Sequence, residues 1–331
     1  MIRALRYSPL LAVLAATPAA RADTPSFRND VIPILTKIGC NSGACHGALA
    51  GKGGLKLSLR GYAPADDHFV LTRQVRGRRV NLQEPAKSLM LLKPTLAIPH
   101  GGGQKIEVGS PEYKILAEWI ASGAPGPRND DPRVERLEVF PSTATLKPKD
   151  SLQIQVRASY SDGRARDVTR WARFASTEDL IAGVDEHGLV KVGGHGEAAI
   201  TVGYANLVAL SRITSPYANA LDAKIFSTSP RNNFIDERVL KKLEALRLPP
   251  SPACTDNEFI RRAFLDAAGI LPTPEEVDKF LADKAPDKRA RLIDALLERP
   301  EFVDYWTYKW CDVLLISSRR LATPAGRWES H

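Results

Sequence analysis

The chain has 331 residues, 44% of them hydrophobic, and a formal charge of +8. That is a globular composition, and the length exceeds what one ordinary core serves, so two or three domains are expected. Arg3, Arg6 and Arg21 fall in a leader read below as removable; taking those three from +8 leaves +5, too mild a charge for a nucleic-acid binder.

Residues 1–22 carry Arg3 and Arg6, then the apolar run Leu10 to Ala16, then Ala20-Arg21-Ala22 as a small-x-small cleavage site. This is the pattern of a secretory signal peptide. The apolar run is too short to span a bilayer, and no later stretch approaches about 18 uninterrupted apolar residues. The mature protein is therefore expected to be soluble, without a transmembrane segment, in the periplasm or cell envelope.

From Phe27 to Ile38 the apolar residues recur at helical spacing, with Pro33 shortening the helix, and lead directly into Gly39-Cys40-Asn41-Ser42-Gly43-Ala44-Cys45-His46-Gly47. Two cysteines closed by an adjoining histidine read as a c-type haem attachment site. The thiols of Cys40 and Cys45 would hold one covalent haem c per chain, and His46 would be the proximal iron ligand. The gap between the cysteines is four residues where two is usual, and Gly43 can relax the longer loop. A Cys40–Cys45 disulfide, or a structural zinc site using both thiolates and His46, are the competing readings.

Leu55, Leu57 and Leu59 alternate as a short extended segment, and Asp66 to Val75 has a helical pattern. Ile98-Pro99-His100-Gly101-Gly102-Gly103 then places a histidine before three glycines that let backbone approach a flat ligand. His100 is the favoured distal ligand. Met90, in Ser88-Leu89-Met90-Leu91-Leu92, is the alternative, although helical core packing explains it as well. His68, after Asp66-Asp67, reads as a solvated residue. The basic run Arg73, Arg76, Arg78 and Arg79 reads as a solvated face, or else as a partner for haem propionates or an acidic redox protein. Ser110 as N-cap, Pro111 at the first position and Gly123 at the end bound a helix bearing Tyr113, Leu116, Trp119 and Ile120. Residues 23–125 thus have the frame of a small all-α cytochrome c-like domain.

Residues 126–133, rich in proline and aspartate, read as a linker. Over 134–216 the period changes to two, with Leu152 to Tyr160, Leu189 to Val192, Ala198 to Tyr204 and Leu207 to Ile213 as strands. Short strands at this spacing argue an all-β immunoglobulin-like sandwich. His187 and His195 fall in turns and read as exposed. Residues 217–232 read as a second linker.

Residues 233–331 read as an all-α domain. Thr255-x-x-Glu258 and Thr273-Pro274-x-Glu276 are capping boxes, and Gly269 ends the helix started by the first. In the last helix Phe302, Val303, Trp306, Trp310, Val313 and Leu314 predict a wide buried face. Cys311 and Cys254 read as inert, with a bridge between them as the lesser option. Arg261, Arg262, Asp266 and Asp304 are explained by helix-surface pairing, and no catalysis is assigned to them.

Three parts in this order resemble multidomain proteins of planctomycetes and related bacteria that carry a cytochrome c domain, a group-2 bacterial immunoglobulin-like (BIG) domain and helical domains of unknown function. The resemblance lies in Gly39 to Gly47, Lys93-Pro94-Thr95 with Pro99 to Gly103, Trp119-Ile120 with Gly123-Ala124, Tyr160 to Gly163 with Asp167-Val168-Thr169, and Asn233 to Asp236 with Arg261 to Asp266. Cytochromes of this kind often carry Met-Pro-Pro near the distal ligand. Here Ile98-Pro99-His100 stands in that place, which shifts weight from methionine to His100. The resemblance also implies a longer chain, so the helical part is expected to be incomplete.

The function expected is that of an exported electron-transfer or redox-sensing protein, an electron carrier with an unidentified redox partner. The alternative is a cell-surface binding or adhesion protein. In it the sandwich contacts an envelope glycan or protein and the cysteine motif is merely structural. An envelope-polymer enzyme is a third class, for which the chain offers no nucleophile and base pair.

Overall fold

A computed structural model describes residues 24–222 and 224–316, which divide into two compact units at Pro249/Pro250. The expected leader over 1–22 and the end of the chain from 317 lie outside the described residues. No helix among the described residues is long and apolar enough to cross a membrane.

The first unit begins with a π-helical turn, Phe27–Val31, whose N-cap Ser26 accepts from the Asn29 amide, and it runs into α1 (Ile32–Lys37). Then come α2 (Pro64–Thr72), α3 (Leu89–Leu92) and α4 (Pro111–Ala121). Ser110 caps α4 by accepting from the Tyr113 amide. Phe27, Ile34, Leu91, Leu116, Trp119 and Ile120 are fully buried together, and burying such side chains contributes about 1.5–3 kcal/mol each.

The Leu55–Leu59 run is extended only in part: Leu55 pairs with Lys52 in an isolated antiparallel bridge, Leu57 is buried with its amide donating to His46 O (2.8 Å), and Leu59 opens a 3-10 turn, Leu59–Gly61. One expectation fails here. His68 is not solvated. Its Nε2 lies 2.9 Å from Ala124 O, so it must carry the proton, and its ring packs edge-on against Phe27 and Trp119.

The β part contains β1 (Val134–Phe140), β2 (Thr143–Thr145), β3 (Ser151–Gln153), β4 (Gln155–Tyr160), β5 (Ala165–Asp167), β6 (Arg173–Ser176), β7 (Ala182–Val184), β8 (Leu189–Val192), β9 (Gly196–Tyr204) and β10 (Leu207–Ser215). They form three sheets, ordered β1-β4-β5, β2-β10-β9-β6 and β3-β8-β7. Pairing is antiparallel except between β2 and β10. The inward residues of all three sheets, among them Ile154, Val156, Val190, Ile200, Val202 and Ile213, make one core. The run expected as one strand from Leu152 to Tyr160 divides at Ile154, whose amide donates to Gly188 O. His195 is half-buried, with Nδ1 2.7 Å from Pro216 O and its ring stacked on Tyr217.

Residues 126–133 connect the helical and β parts but are not slack. Asp131 is buried and accepts from the Arg128 amide, and Asn29 Nδ2 donates to Pro132 O. The two parts pack directly. Lys37 Nζ at the end of α1 donates to Ala172 O (2.6 Å) and to Glu186 O, Arg166 pairs with Asp30, Arg170 pairs with Glu112, and Trp171 packs against both cores.

After a short α5 (Lys224–Thr228), α6 (Phe234–Leu246) also belongs to the first unit. Its end is tied to the segment after β10 by Tyr217 N donating to Leu246 O and Asn219 Nδ2 to Arg247 O, and Lys242 pairs with Glu197 of β9. The expected boundary at 233 therefore precedes the break between units.

The second unit holds α7 (Asp256–Ala268), α8 (Pro274–Ala282), α9 (Lys288–Leu297) and α10 (Pro300–Val313). Both capping boxes form as read. Gly269 ends α7 at φ +70, and a Cβ there would lie 2.4 Å from the Tyr305 ring, so both conformation and space require glycine. The core is small: Ile260, Phe264, Phe280 and Leu296. The wide buried face expected of α10 is not buried. Val303, Trp310, Val313 and Leu314 are each more than half exposed, while α10 meets the end of α7 through Tyr305, beside Gly269, and Trp306, whose Nε1 donates to Ala267 O. Cys254 and Cys311 are unbonded and half-buried.

Candidate functional site

The loop after α1 is a compact run of turns. Cys40 N continues the helix by donating to Leu35 O (2.9 Å), Gly39 turns the chain at φ +79, Cys45 N returns to Ser42 O, and His46 N returns to Cys40 O (3.0 Å). Asn41 Nδ2 ties the loop to Thr36 Oγ1 of α1 at 2.8 Å. A Cβ at Gly47 would lie 2.2 Å from Asn41 O, so no other residue fits there. The four-residue gap is thus absorbed by hydrogen-bonded turns that bring His46 back over the first cysteine.

His46 is half-buried, with Nδ1 3.1 Å from Lys52 O and 3.3 Å from Leu55 O. Carbonyls only accept, so the proton sits on Nδ1 and the Nε2 lone pair is free. Burial holds the ring below the ordinary histidine range; the two carbonyls oppose this, while His100 and Arg79 add to it. His46 is therefore a neutral imidazole at pH 7, the form that binds a metal.

His100 repeats the pattern. Its Nδ1 lies 2.8 Å from Gly103 O, which again puts the proton on Nδ1. Gly103 adopts φ +72, and a Cβ at Gly102 would come within 2.9 Å of the His100 ring. These glycines let the loop fold against its own histidine.

The rings of His46 and His100 face each other with centroids 6.3 Å apart and planes 18° from parallel. Offset aromatic pairs also span about 4.5–7 Å, so distance alone does not separate stacking from shared ligation. Both Nδ1 atoms are tied to carbonyls, an outer support of the kind that metal-bound histidines carry.

Both thiols of the loop are unbonded; Cys40 is buried and Cys45 half-buried. Burial, with a smaller contribution from Cys45, pushes the Cys40 thiol up to about 12, against the pull of Lys105. Met90 is buried in α3 among the core residues and its amide donates to Arg79 O. Of the basic run, Arg73, Arg76 and Arg78 are exposed but Arg79 is buried, its guanidinium donating to Val70 O, Gln74 O and Gly54 O. Sequence patterning gave no sign of that burial. Among the described residues no group of three or more His, Cys, Asp and Glu gathers to hold a metal ion, whereas structural zinc takes four such ligands. Arg261, Arg262, Asp266 and Asp304 make no hydrogen bond or ion pair with one another.

A family model described as "PSCyt2: Protein of unknown function (DUF1549)", a planctomycete cytochrome-associated domain, matches residues 234–327. The C-terminal helices match that family. The match begins at α6, beside the capping box of Asn233 and Asp236, and covers under a third of the chain. No curated protein matches the chain.

Proposed function

We propose that residues 23–125 are a cytochrome c-like domain in which Cys40 and Cys45 would hold one covalent haem c and His46 and His100 would ligate its iron. The domain is joined to an immunoglobulin-like spacer over 134–216 and to the helices of the matched family, in an exported electron-transfer or redox-sensing protein of the periplasm or cell envelope. The observation that carries this reading is the His46–His100 pair, with both Nδ1 atoms committed to carbonyls and both Nε2 atoms free. The description of the matched C-terminal family as cytochrome-associated is independent support.

When bound, haem supplies one-electron chemistry at its iron, with the potential set by the axial ligands and their surroundings. The chain's own residues do the rest. His46 and His100 would present their Nε2 atoms from loops fixed by glycine turns, and Arg79 keeps a buried positive charge that acts on His46. A cation in that position opposes protonation of His46.

The test is an alkaline pyridine spectrum of protein matured with haem-ligation machinery and then acid-extracted. Haem should stay on the parent chain and be lost from Cys45→Ala. Colourless protein, or full retention in both Cys40→Ala and Cys45→Ala, would overturn attachment and favour the adhesion reading.

A further inference from the structure

A cleft of about 400 Å³ opens where the helical and β parts of the first unit pack together, away from the histidine pair. Three arginines line it, and no aspartate or glutamate does. Arg60 and Arg173 are exposed and make no ion pair among the described residues. Arg28 is half-buried and pairs with the buried Asp131, its Nε 3.9 Å from the carboxylate.

The walls are aromatic. Trp171 and Phe174 are half-buried, and Tyr62 stands at the rim 82% exposed. The loop that carries Arg60 and Tyr62 is held rigidly. Arg60 sits at φ +56 with its amide donating to Asn41 O, and a Cβ at Gly61 would lie 2.3 Å from Ile32. A non-glycine residue in that conformation is strained, and such strain persists where surrounding structure fixes it.

Solvated surface arginines are common, and one of them would mean little. Two exposed guanidinium groups, those of Arg60 and Arg173, on a cleft with ring-bearing walls and no acidic residue call for a ligand that is both flat and anionic. Guanidinium forks match carboxylates in geometry, rings stack on rings, and the volume is at the low end of the range for small-molecule pockets. We propose that this cleft binds a carboxylate borne on a ring, either a uronic acid unit of an acidic glycan or an aromatic acid.

The experiment is calorimetric titration of the mature chain at low ionic strength with digalacturonate and with 4-hydroxybenzoate. Their neutral counterparts, galactobiose and 4-hydroxybenzyl alcohol, are titrated alongside. At least one carboxylate should bind, its neutral counterpart roughly tenfold more weakly or not at all. Arg60→Ala and Arg173→Ala should each weaken binding roughly tenfold, with Arg173→Lys between parent and alanine. Binding of digalacturonate alone assigns the glycan source, and of 4-hydroxybenzoate alone the aromatic source. The proposal is overturned if neither carboxylate binds, if neutral counterparts bind as tightly, or if folded arginine variants bind like the parent. None of these readings involves the cysteine loop, so failure here leaves the haem proposal standing.

Discussion

The imidazole of His100 lies 18° from parallel with that of His46, their centres 6.3 Å apart, and each ring is anchored through Nδ1 to a backbone carbonyl of its own loop. Two loops distant in sequence thereby bring their imidazoles to one small space, with Nδ1 of each committed to a carbonyl and Nε2 left for a further partner.

Limited proteolysis should not cut first at residues 126–133. Burial of Asp131 and the bond from Asn29 to Pro132 O protect that segment from the local unfolding that cleavage requires. The first cut is expected around 248–254, which has no regular structure and contains the break between the units. Mass spectrometry of the early fragments decides; a first product ending near Pro127 would contradict the packing of the two parts.

Lys37 should matter more than the ion pair beside it. Replacing it with methionine leaves two carbonyls, Ala172 O and Glu186 O, without their donor, at about 1–3 kcal/mol. Arg170→Ala removes an exposed pair with Glu112, worth about 0.2–1 kcal/mol. Denaturant unfolding of both variants gives the comparison, and equal losses would show that Lys37 is not the anchor.

In the second unit, Phe264→Ala should cost about 3–5 kcal/mol, because the ring is 2% exposed. Trp310→Ala should fall within about 0.5 kcal/mol of the parent, because Trp310 is 59% exposed. Thermal unfolding of both variants measures this, and a large loss for Trp310→Ala would mean that the end of α10 is covered in solution.

That contrast also marks the limit of what the sequence discloses. Helix caps are local, so Ser110, Thr255, Thr273 and Gly269 announce their roles without reference to the rest of the chain. The histidine of the Cys-His pair and the histidine before three glycines are legible for the same reason: the residue types that shape each loop adjoin it. Whether a face finds cover is not local. Periodicity shows that α10 has an apolar side and says nothing of what stands opposite it. His68 looked solvated from its acidic neighbours, yet Ala124 O and Phe27 reach it from distant parts of the chain. Arg79 is indistinguishable from Arg78 in the sequence, and only the carbonyls of Gly54, Val70 and Gln74 draw it inward.

The most direct test of the His46–His100 site is the absorption spectrum of the oxidised, haem-loaded protein, compared with His100→Ala and Met90→Leu. The parent should be low-spin without the near-infrared sulfur-to-iron band of a methionine ligand, His100→Ala should turn high-spin, and Met90→Leu should match the parent. A sulfur band in the parent that disappears in Met90→Leu, with His100→Ala unchanged, would contradict the site.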